Sequence, residues 1–426
     1  MKGKKVKVVD IIQKKKEGRE HTKEEIYFLV NSYIQGKTED YQMSAWLMAV
    51  CFQGLSEKET LYLTQSYIDS GEVLDFSSIS SFVADKHSTG GVGDKVTLVL
   101  IPILAALNIT CAKLSGRGLG YTGGTIDKLE SIPNFNVELT PEAFKAQIKK
   151  IGAAISSQSP NLTPADGKIY ALRDVTATVD NASLIAASVV SKKVASGANS
   201  IVLDVTWGKG AFIKNLEEAQ KLGNLMVKIG HLLNRKADFV VSPMNEPLGF
   251  AIGNSLEVIE AIDFLKGKKI DDLYNITLEI VHKTLLNYSK VSNILQSKEL
   301  MDKVINEGSA LQKLKEIISA QKGCSEVIED YSLFKNAKNV MPIKAQKSAT
   351  VKELDALKIA KCAKLLGAGR DKKTDPIDYS AGVILKKKTN DKVQTDETLL
   401  ELYYNDIDEA RLKEAMDCAK ASFELN

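Results

Sequence analysis

Proline is scarce in this chain, which has 9 prolines and 28 glycines among 426 residues. So low a content excludes collagen-like and low-complexity proteins. Hydrophobic residues make up 44% of the chain and charged residues 26%, a balance typical of folded rather than disordered proteins. The length exceeds what one compact core usually supports, so the sequence predicts two or three packed domains.

The sequence also has no large excess of positively or negatively charged residues. Lysine and arginine total 57 against 54 acidic residues, and this imbalance is too small to indicate a nucleic-acid partner. The longest apolar run, at 96–107, contains Pro102 and is shorter than the roughly 20 residues of a membrane helix. The N-terminal residues carry positive charge but no apolar segment typical of a secretory signal. We therefore expect a soluble protein with no membrane partner.

Cysteine spacings typical of metal or redox sites are absent. No two cysteines form a CxxC motif, and none has a histidine at zinc-ligand spacing. Widely separated thiols of this kind are typical of reduced proteins, so we expect a cytoplasmic location. The cysteines are Cys51, Cys111, Cys324, Cys362 and Cys418.

The order of helical and strand patterns predicts three regions. Before residue 80 the chain has a helical pattern with capping boxes at 22–25 and 56–59. Short β-rich runs then alternate with helical ones, which is typical of an α/β layer with a mostly parallel sheet. The segment 182–195 interrupts this alternation and is predicted to be a helix that returns to the N-terminal helices. After residue 340 the pattern predicts an amphipathic helix at 351–366 and strands at 382–386 and 398–404.

These patterns predict a fold that combines all-α and α/β parts. A small helical domain, at 1–70 and 160–195, would be hinged to a large α/β domain with a mostly parallel or mixed sheet. The large domain, at 75–156 and 198–335, would bind phosphate. A C-terminal α+β domain would occupy 342–426.

Two glycine-rich segments carry the strongest functional signal, DKHSTGGVGD at 85–94 and SGRGLGYTGGTID at 115–127. Glycine allows backbone N–H groups to approach an anion closely, so both are candidate phosphate-binding loops. Residues 118–123 also match the GxGxxG pattern of dinucleotide sites. In such sites the pattern follows the first strand of a βαβ unit. Here about eighty residues of helical pattern precede the sheet, so a dinucleotide site is poorly supported. Neither segment has the GK[ST] ending of an NTPase loop. The remaining alternative to phosphate binding is that both segments are only tight turns with a structural role.

One of the four histidines lies inside the first loop. His87 is flanked by Lys86 and Ser88, and an imidazole there can donate a proton to a leaving group. The other three histidines have no such context and are expected to be structural. Ser188 and Lys192 are four residues apart in an otherwise apolar helical segment, so they share one face of the predicted helix.

The motifs resemble a known family. KHSTGGVGD at 86–94 and SGRGLGYTGGTIDKLESIP at 115–133 resemble the pyrimidine and thymidine nucleoside phosphorylases, and YALRDVTATVD at 170–180, SKKVASGA at 191–198 and LDVTWGKGAF at 203–212 extend the resemblance across essentially the whole chain. It implies a homodimer that converts a pyrimidine nucleoside (uridine, thymidine or deoxyuridine) and phosphate reversibly into free base and ribose or deoxyribose 1-phosphate. The cleft would be closed by domain movement.

The resemblance also implies roles for individual residues, with no organic cofactor. The catalytic residues would be His87, Arg173 and Lys192, with His87 as proton donor or hydrogen-bond partner to the departing base. Phosphate would be held by Lys86, Ser88, Thr97, Ser115 and Thr125. The polar edge of the pyrimidine would be held by Arg173, Ser188 and Lys192.

Residues 244–257, MNEPLGFAIGNSLE, resemble the broad-specificity members more than the thymidine-specific ones. That subfamily binds a potassium ion near the phosphate loop, and the matching positions are Gly93, Lys95, Leu248, Ala251 and Glu260. Lys95 departs from the small hydroxyl residue that is usual there. Its carbonyl could coordinate the ion, or its ammonium could pair with Glu260 and replace it. Tyr121, where the family commonly has histidine, is a second departure.

Other functions remain open at this point. A thymidine-specific phosphorylase is the nearest alternative, and an enzyme similar to anthranilate phosphoribosyltransferase is a more distant one. The latter would need acidic residues for a magnesium-pyrophosphate leaving group, and none is evident near the glycine-rich loops. A catalytically silent protein that binds nucleosides or serves in an assembly is disfavoured, because Lys86, His87, Ser88, Arg173 and Lys192 are all present.

Overall fold

The structure, a computed structural model, describes residues 7–118, 120, 123–370, 372 and 375–426. Its helices are α1 (Val8–Lys16), α2 (Lys23–Ile34), α3 (Asp40–Gln53), α4 (Glu57–Ile68), α5 (Val96–Ala106), α6 (Thr125–Glu130), α7 (Pro141–Ile151), α8 (Pro164–Asp174), α9 (Ala182–Ala195), α10 (Leu216–Leu232), α11 (Asn254–Leu265), α12 (Asp271–Asn287), α13 (Ile294–Asn306), α14 (Ser309–Ala320), α15 (Ala356–Ala363) and α16 (Glu409–Ala421). Its strands are β1 (Val83–Ser88), β2 (Thr110–Ser115), β3 (Ala153–Ser157), β4 (Ser200–Trp207), β5 (Lys236–Pro243), β6 (Ala251–Gly253), β7 (Asn339–Lys344), β8 (Ala349–Leu354), β9 (Gly382–Leu385), β10 (Lys392–Val393), β11 (Thr398–Tyr404) and β12 (Phe423–Leu425).

The N-terminal helices begin where their caps predict. Thr22 and Ser56 each accept a backbone N–H bond while Glu25 and Glu59 bond back to the cap, which confirms both capping boxes. The apolar faces of α1 to α4 share one buried core around Trp46 with residues of α8 and α9. The helix predicted at 182–195 is confirmed as α9.

A five-stranded sheet in the order β3-β2-β1-β4-β5 forms the α/β part and confirms that class. Strands β2 and β3 pair in parallel, from Cys111 opposite Ala153 to Ser115 opposite Ser157. Helix α5 connects β1 to β2, and α7 leads into β3 through Gly152, whose φ of 82° ends the helix. Helical crossovers of this kind are what parallel neighbours require.

Antiparallel pairing distinguishes the C-terminal part, with sheet orders β6-β9-β11-β7 and β10-β8-β12. This confirms its α+β character. The helix predicted at 351–366 is wrong in its first turn. Val351 and Leu354 have helical spacing, but both are buried in β8, which pairs with β10 and with β12. The helix begins only after Asp355, whose carboxylate accepts the N–H of Lys358.

The chain separates into two compact units. The first comprises residues up to 87, 158–203 and 220–239, and the second comprises 88–157, 204–219 and 240–426. Strands β4 and β5 each begin in the first unit and end in the second. These two units are a different division of the chain from the three domains expected from sequence, whose bounds stay a prediction. No helix in the described ranges is long and apolar enough to cross a membrane.

A buried charge cluster lies inside the helical core. Lys15 and Glu59 are 2.6 Å apart with side chains 3% and 1% exposed. Glu59 also accepts the N–H groups of His21 and Ser56, each at 2.8 Å. Burial alone would raise the pKa of Glu59, but the ammonium and these N–H groups outweigh it and lower the pKa below its usual value. Burial also lowers the pKa of His21 to about 4, so its neutral ring accepts the Trp46 N–H and is structural.

We expect Glu59→Gln to lower the free energy of unfolding by about 3–5 kcal/mol at pH 7, because Lys15 would remain buried without its carboxylate. The folded pKa of Glu59 is depressed, so this stabilisation is complete above the unfolded value of about 4.3 and is lost as the pH falls through the folded value. Urea unfolding of both proteins from pH 7 to pH 3 measures the difference, which should shrink on acidification. Glu17→Gln, at an exposed pair with Arg19, is the control and should change little. A pH-independent difference would contradict the assignment.

Candidate active site

The first glycine-rich segment leaves β1 and is fastened to the end of β4. Ser88 ends β1, and its Oγ accepts the N–H of Gly90 at 3.2 Å. Thr89 donates its N–H to the carbonyl of Asp204 at 3.0 Å, and its hydroxyl lies 2.9 Å from the hydroxyl of Thr206. The turn therefore has a defined shape before any ligand binds.

Glycine is required where this segment turns toward α5. Gly93 has a φ of 73°, and a Cβ there would lie 2.5 Å from the carbonyl oxygen of Leu248. A larger residue would therefore be strained both by its backbone conformation and by this contact. The next residue, Asp94, accepts the N–H of Val96 at the start of α5.

The second glycine-rich segment is organised by Asp127 in α6, whose side chain is 2% exposed. Its carboxylate accepts the N–H of Gly118 at 2.6 Å and binds the guanidinium groups of Arg117 at 3.3 Å and Arg370 at 3.0 Å. The backbone here is tightly folded, since a Cβ at Gly124 would lie 2.1 Å from the nitrogen of Gly118. One carboxylate thus holds the loop from three directions.

Four of the five predicted phosphate residues lie in the second unit. Ser88 and Ser115 end the neighbouring strands β1 and β2, and open α/β sheets bind ligands beyond the carboxyl ends of their strands. Thr97 is buried in the first turn of α5, and Thr125 begins α6. The fifth, Lys86, belongs to the first unit and is 1% exposed.

The predicted pyrimidine residues lie together on α8 and α9 of the first unit. The ammonium of Lys192 donates to the hydroxyl of Ser188 at 2.8 Å and forms an ion pair with the buried carboxylate of Asp166. The ring of Tyr170 has the Arg173 guanidinium carbon and the Lys192 nitrogen each 5.5 Å from its centroid. Cations at this distance from the face of a tyrosine ring are attracted to it by a cation–π interaction. The cluster places two cations, Arg173 and Lys192, beside one aromatic ring.

Arg173 is fixed by the backbone around it. Its Nε, Nη1 and Nη2 donate to carbonyl oxygens of Thr178 at 3.0 Å, Leu184 at 3.2 Å and Val179 at 2.7 Å. Three of the five N–H groups of a guanidinium are therefore engaged within the protein. The side chain is a buried cation whose position is set by the connection between α8 and α9.

The adjacent Lys193 has a different partner. Its Nζ lies 2.7 Å from Oδ2 of Asp85, and both side chains are at most 1% exposed. Asp85 also accepts the N–H of Lys86 at 2.7 Å. This ion pair fixes α9 to β1, immediately before the half-buried His87. The helix that carries the Lys192 cluster is therefore held to β1 within the first unit.

The residues of the expected potassium site lie around an ammonium group. The Nζ of Lys95 donates to the carbonyl of Leu248 at 2.7 Å and lies 2.8 Å from Oε2 of Glu260. Lys95 is completely buried. Two like charges at bonding distance repel strongly in a site without water. With this ammonium in place, the donor set does not fit an additional potassium ion.

Asp166 and Tyr170 were not among the candidates predicted from sequence. Both share a face of α8 with Arg173, at i, i+4 and i+7, and this spacing was the available signal. The pairing of Asp166 with Lys192 depends on how two helices pack, which spacing alone does not reveal. Tyr121, the second departure from the family, lies outside the described residues.

Three family models match successive parts of the chain. They are the helical bundle domain of a glycosyl transferase family at 9–71, the a/b domain of that family at 80–311, and the pyrimidine nucleoside phosphorylase C-terminal domain at 350–426. The structure is similar to anthranilate phosphoribosyltransferase from Thermus thermophilus, with a TM-score of 0.59 and 15% identity over 74% of this chain and all of that one. This likeness supports the fold alone. The class is therefore that of a glycosyl transferase with helical-bundle and α/β domains.

Curated relatives narrow the class. The pyrimidine-nucleoside phosphorylases of Bacillus subtilis (strain 168) and Geobacillus stearothermophilus are 48% and 46% identical over 400 residues, which cover 94% of this chain and 92% of each relative. That of Staphylococcus aureus (strain N315) is 45% identical over 406 residues, 95% of this chain and 94% of its own. The chain belongs to the pyrimidine-nucleoside phosphorylase family, which confirms the resemblance seen in its motifs.

Lys193→Met should lower the free energy of unfolding by about 3–5 kcal/mol, because the buried carboxylate of Asp85 would lose its ammonium. The double variant Lys193→Met, Asp85→Asn should lose less than the two single variants together. Urea unfolding of the four proteins gives the coupling. Lys228→Met is a matched control, since its pair with Glu57 is 54% exposed on both sides and should contribute less than about 1 kcal/mol. A Lys193 variant as stable as this control would refute the role of the pair.

Proposed function

We propose that this chain catalyses the reversible phosphorolysis of pyrimidine nucleosides, including uridine, thymidine and deoxyuridine, to free base and ribose or deoxyribose 1-phosphate. The observation that carries the proposal is the cluster of Arg173, Ser188 and Lys192 on α8 and α9, in a chain whose relatives are named pyrimidine-nucleoside phosphorylases. A pyrimidine presents carbonyl oxygens along one edge, and cationic N–H donors are complementary to them.

The reaction separates charge between the sugar and the base in its transition state. The C1′–N1 bond breaks with its electron pair going to the base, while a phosphate oxygen forms the new bond to C1′. Positive charge develops on the sugar and negative charge on the pyrimidine. Fixed donors aimed at the base stabilise the transition state more than the ground state, which is what accelerates the step.

The glycine-rich segments supply the phosphate site in this proposal. Ser88, Thr97, Ser115 and Thr125 would donate hydroxyl groups, and Lys86 would supply a positive charge. Their support is the placement of Ser88 and Ser115 at the ends of adjacent strands, beside backbone turns that glycine leaves accessible.

The α8–α9 cluster would bind the leaving group. Lys192 and Ser188 would donate to the base, and Arg173 would add positive charge from its fixed position. Asp166 would orient Lys192 through their ion pair. His87, next to the phosphate residues in β1, would donate a proton or hydrogen bond to the departing pyrimidine.

Closure and dimerisation belong to the same proposal. Phosphate and nucleoside must meet with water excluded, so we expect the two compact units to close on the substrates. A second copy of the chain would cover apolar side chains that are exposed on α1 to α3, among them Tyr41 at 73% and Phe52 at 81%. The proposed location is the cytoplasm, where the five free thiols would stay reduced.

Incubation of the purified protein with uridine, thymidine or deoxyuridine should release free base only when phosphate is present. The phosphate dependence follows because phosphate is the nucleophile. Base release is measured chromatographically, and arsenate-free buffer without phosphate is the control. Release from thymidine and deoxyuridine but not uridine would indicate the thymidine-specific alternative. No phosphate-dependent release from any of the three would refute the proposal.

Lys192→Met should lower kcat/KM by about 10-fold or more, because a charge-assisted bond to the base is lost. The same change leaves Asp166 as a buried charge without this ammonium, so stability should also fall. The double variant Lys192→Met, Asp166→Asn removes that charge and should recover stability but not activity. Thermal melting and steady-state kinetics of the three proteins separate the effects. If activity returned with stability, Lys192 would act only in folding.

A further inference from the structure

The interior of the turn between the first glycine-rich segment and α5 is filled by the side chain of Lys95, a residue of the turn itself. Lys95 occupies the position just before α5, and its chain folds into the interior with no exposed surface. The ammonium donates to the carbonyl of Leu248 at 2.7 Å and pairs with Glu260 at 2.8 Å. A carbonyl and a carboxylate at these distances are the hard oxygen ligands that alkali-metal cations also prefer.

Further oxygen atoms face the same space. A Cβ built on Gly93 would lie 3.3 Å from the Lys95 nitrogen, 2.5 Å from the carbonyl oxygen of Leu248 and 3.4 Å from that of Ala251. A Cβ on Gly249 would lie 2.8 Å from the same nitrogen and 2.5 Å from Oε2 of Glu260. Two glycines therefore leave just enough room for the ammonium, which fills the volume that these oxygens surround.

The charge of this space is already balanced. The carboxylate of Glu260 accepts the N–H groups of Phe250 at 2.8 Å and Ala251 at 3.0 Å in addition to its contact with Lys95. Burial alone would lower the pKa of Lys95, but Glu260 and Glu257 outweigh burial and raise it. Glu257, one turn earlier on α11, has its own buried partner in Lys128 at 2.6 Å. Each buried carboxylate of α11 thus has one lysine.

We propose that the ammonium of Lys95 takes the place of a bound alkali-metal cation, so that the loop that leads into α5 keeps its shape without a free monovalent ion. A tethered cation differs from a dissolved one because its occupancy does not depend on the salt in solution. This role of Lys95 is separate from the phosphorolysis proposed above, and its effect on stability can be measured without turnover.

Thermal melting of the unaltered protein tests the proposal directly. The Tm should be the same in potassium chloride and in tetramethylammonium chloride at equal ionic strength, because the site already holds its cation. Tetramethylammonium is too large for a space that accommodates one ammonium nitrogen. A Tm that rises with potassium and saturates, relative to tetramethylammonium, would overturn the proposal.

Replacement of Lys95 should make the Tm depend on potassium. Lys95→Thr removes the charge and opens the space, so in tetramethylammonium chloride its Tm should fall below that of the unaltered protein. Potassium or rubidium chloride should then raise the Tm by several degrees, because the ion can bind Glu260 and the surrounding carbonyl oxygens.

Lys95→Met is the matched control. It removes the same charge but fills the space with an apolar chain, so its Tm should be lowered equally in all salts. A threonine variant that responds to potassium no more than the methionine variant would show that these oxygens do not form a cation site, which would overturn the proposal. If the threonine variant does not fold in any salt, the melting of the unaltered protein in the two salts decides.

Discussion

Buried lysine–carboxylate pairs fix the backbone on which the candidate site is built. In the second unit, Glu257 and Glu260 lie one turn apart on α11 and pair with Lys128 and Lys95. Lys128 also donates to the carbonyl of Asp94 at 2.6 Å, so the turn at 93–95 is held from two sides. Glycine-rich backbone loses much conformational entropy on folding. Its defined shape therefore depends on contacts from outside the loop.

Such pairs are poor sources of net stability. Removing two charges from water costs several kcal/mol per ion, and well-packed apolar residues often stabilise a core equally well. What the pairs supply is orientation, because a buried lysine can satisfy its carboxylate only in a narrow range of geometries. Donors fixed in this way need no reorganisation when charge develops on a substrate. This explains why lysines occupy interior positions beside loops that bind an anion in the proposed reaction.

Sequence predicted local structure well and long-range pairing poorly. The capping boxes at Thr22 and Ser56 and the bounds of α9 follow from neighbouring residues, so they could be predicted. The strand at Val351 was missed because its partners, β10 and β12, lie far along the chain. The cluster of Ser188 and Lys192 was visible from spacing, but the carboxylate of Asp166 joins it only through packing of α8 against α9.

Two consecutive lysines on α9 show how one helix combines folding with the proposed chemistry. Neighbouring residues of a helix point about 100° apart, so Lys192 reaches Asp166 and Ser188 while Lys193 reaches Asp85. Lys193 is buried, whereas the side chain of Lys192 is 24% exposed and accessible to a ligand. A rotation of α9 that improved one pair would break the other. The buried pair therefore sets the direction of the exposed ammonium, and the position of the proposed base-binding group is fixed by a contact that never touches substrate.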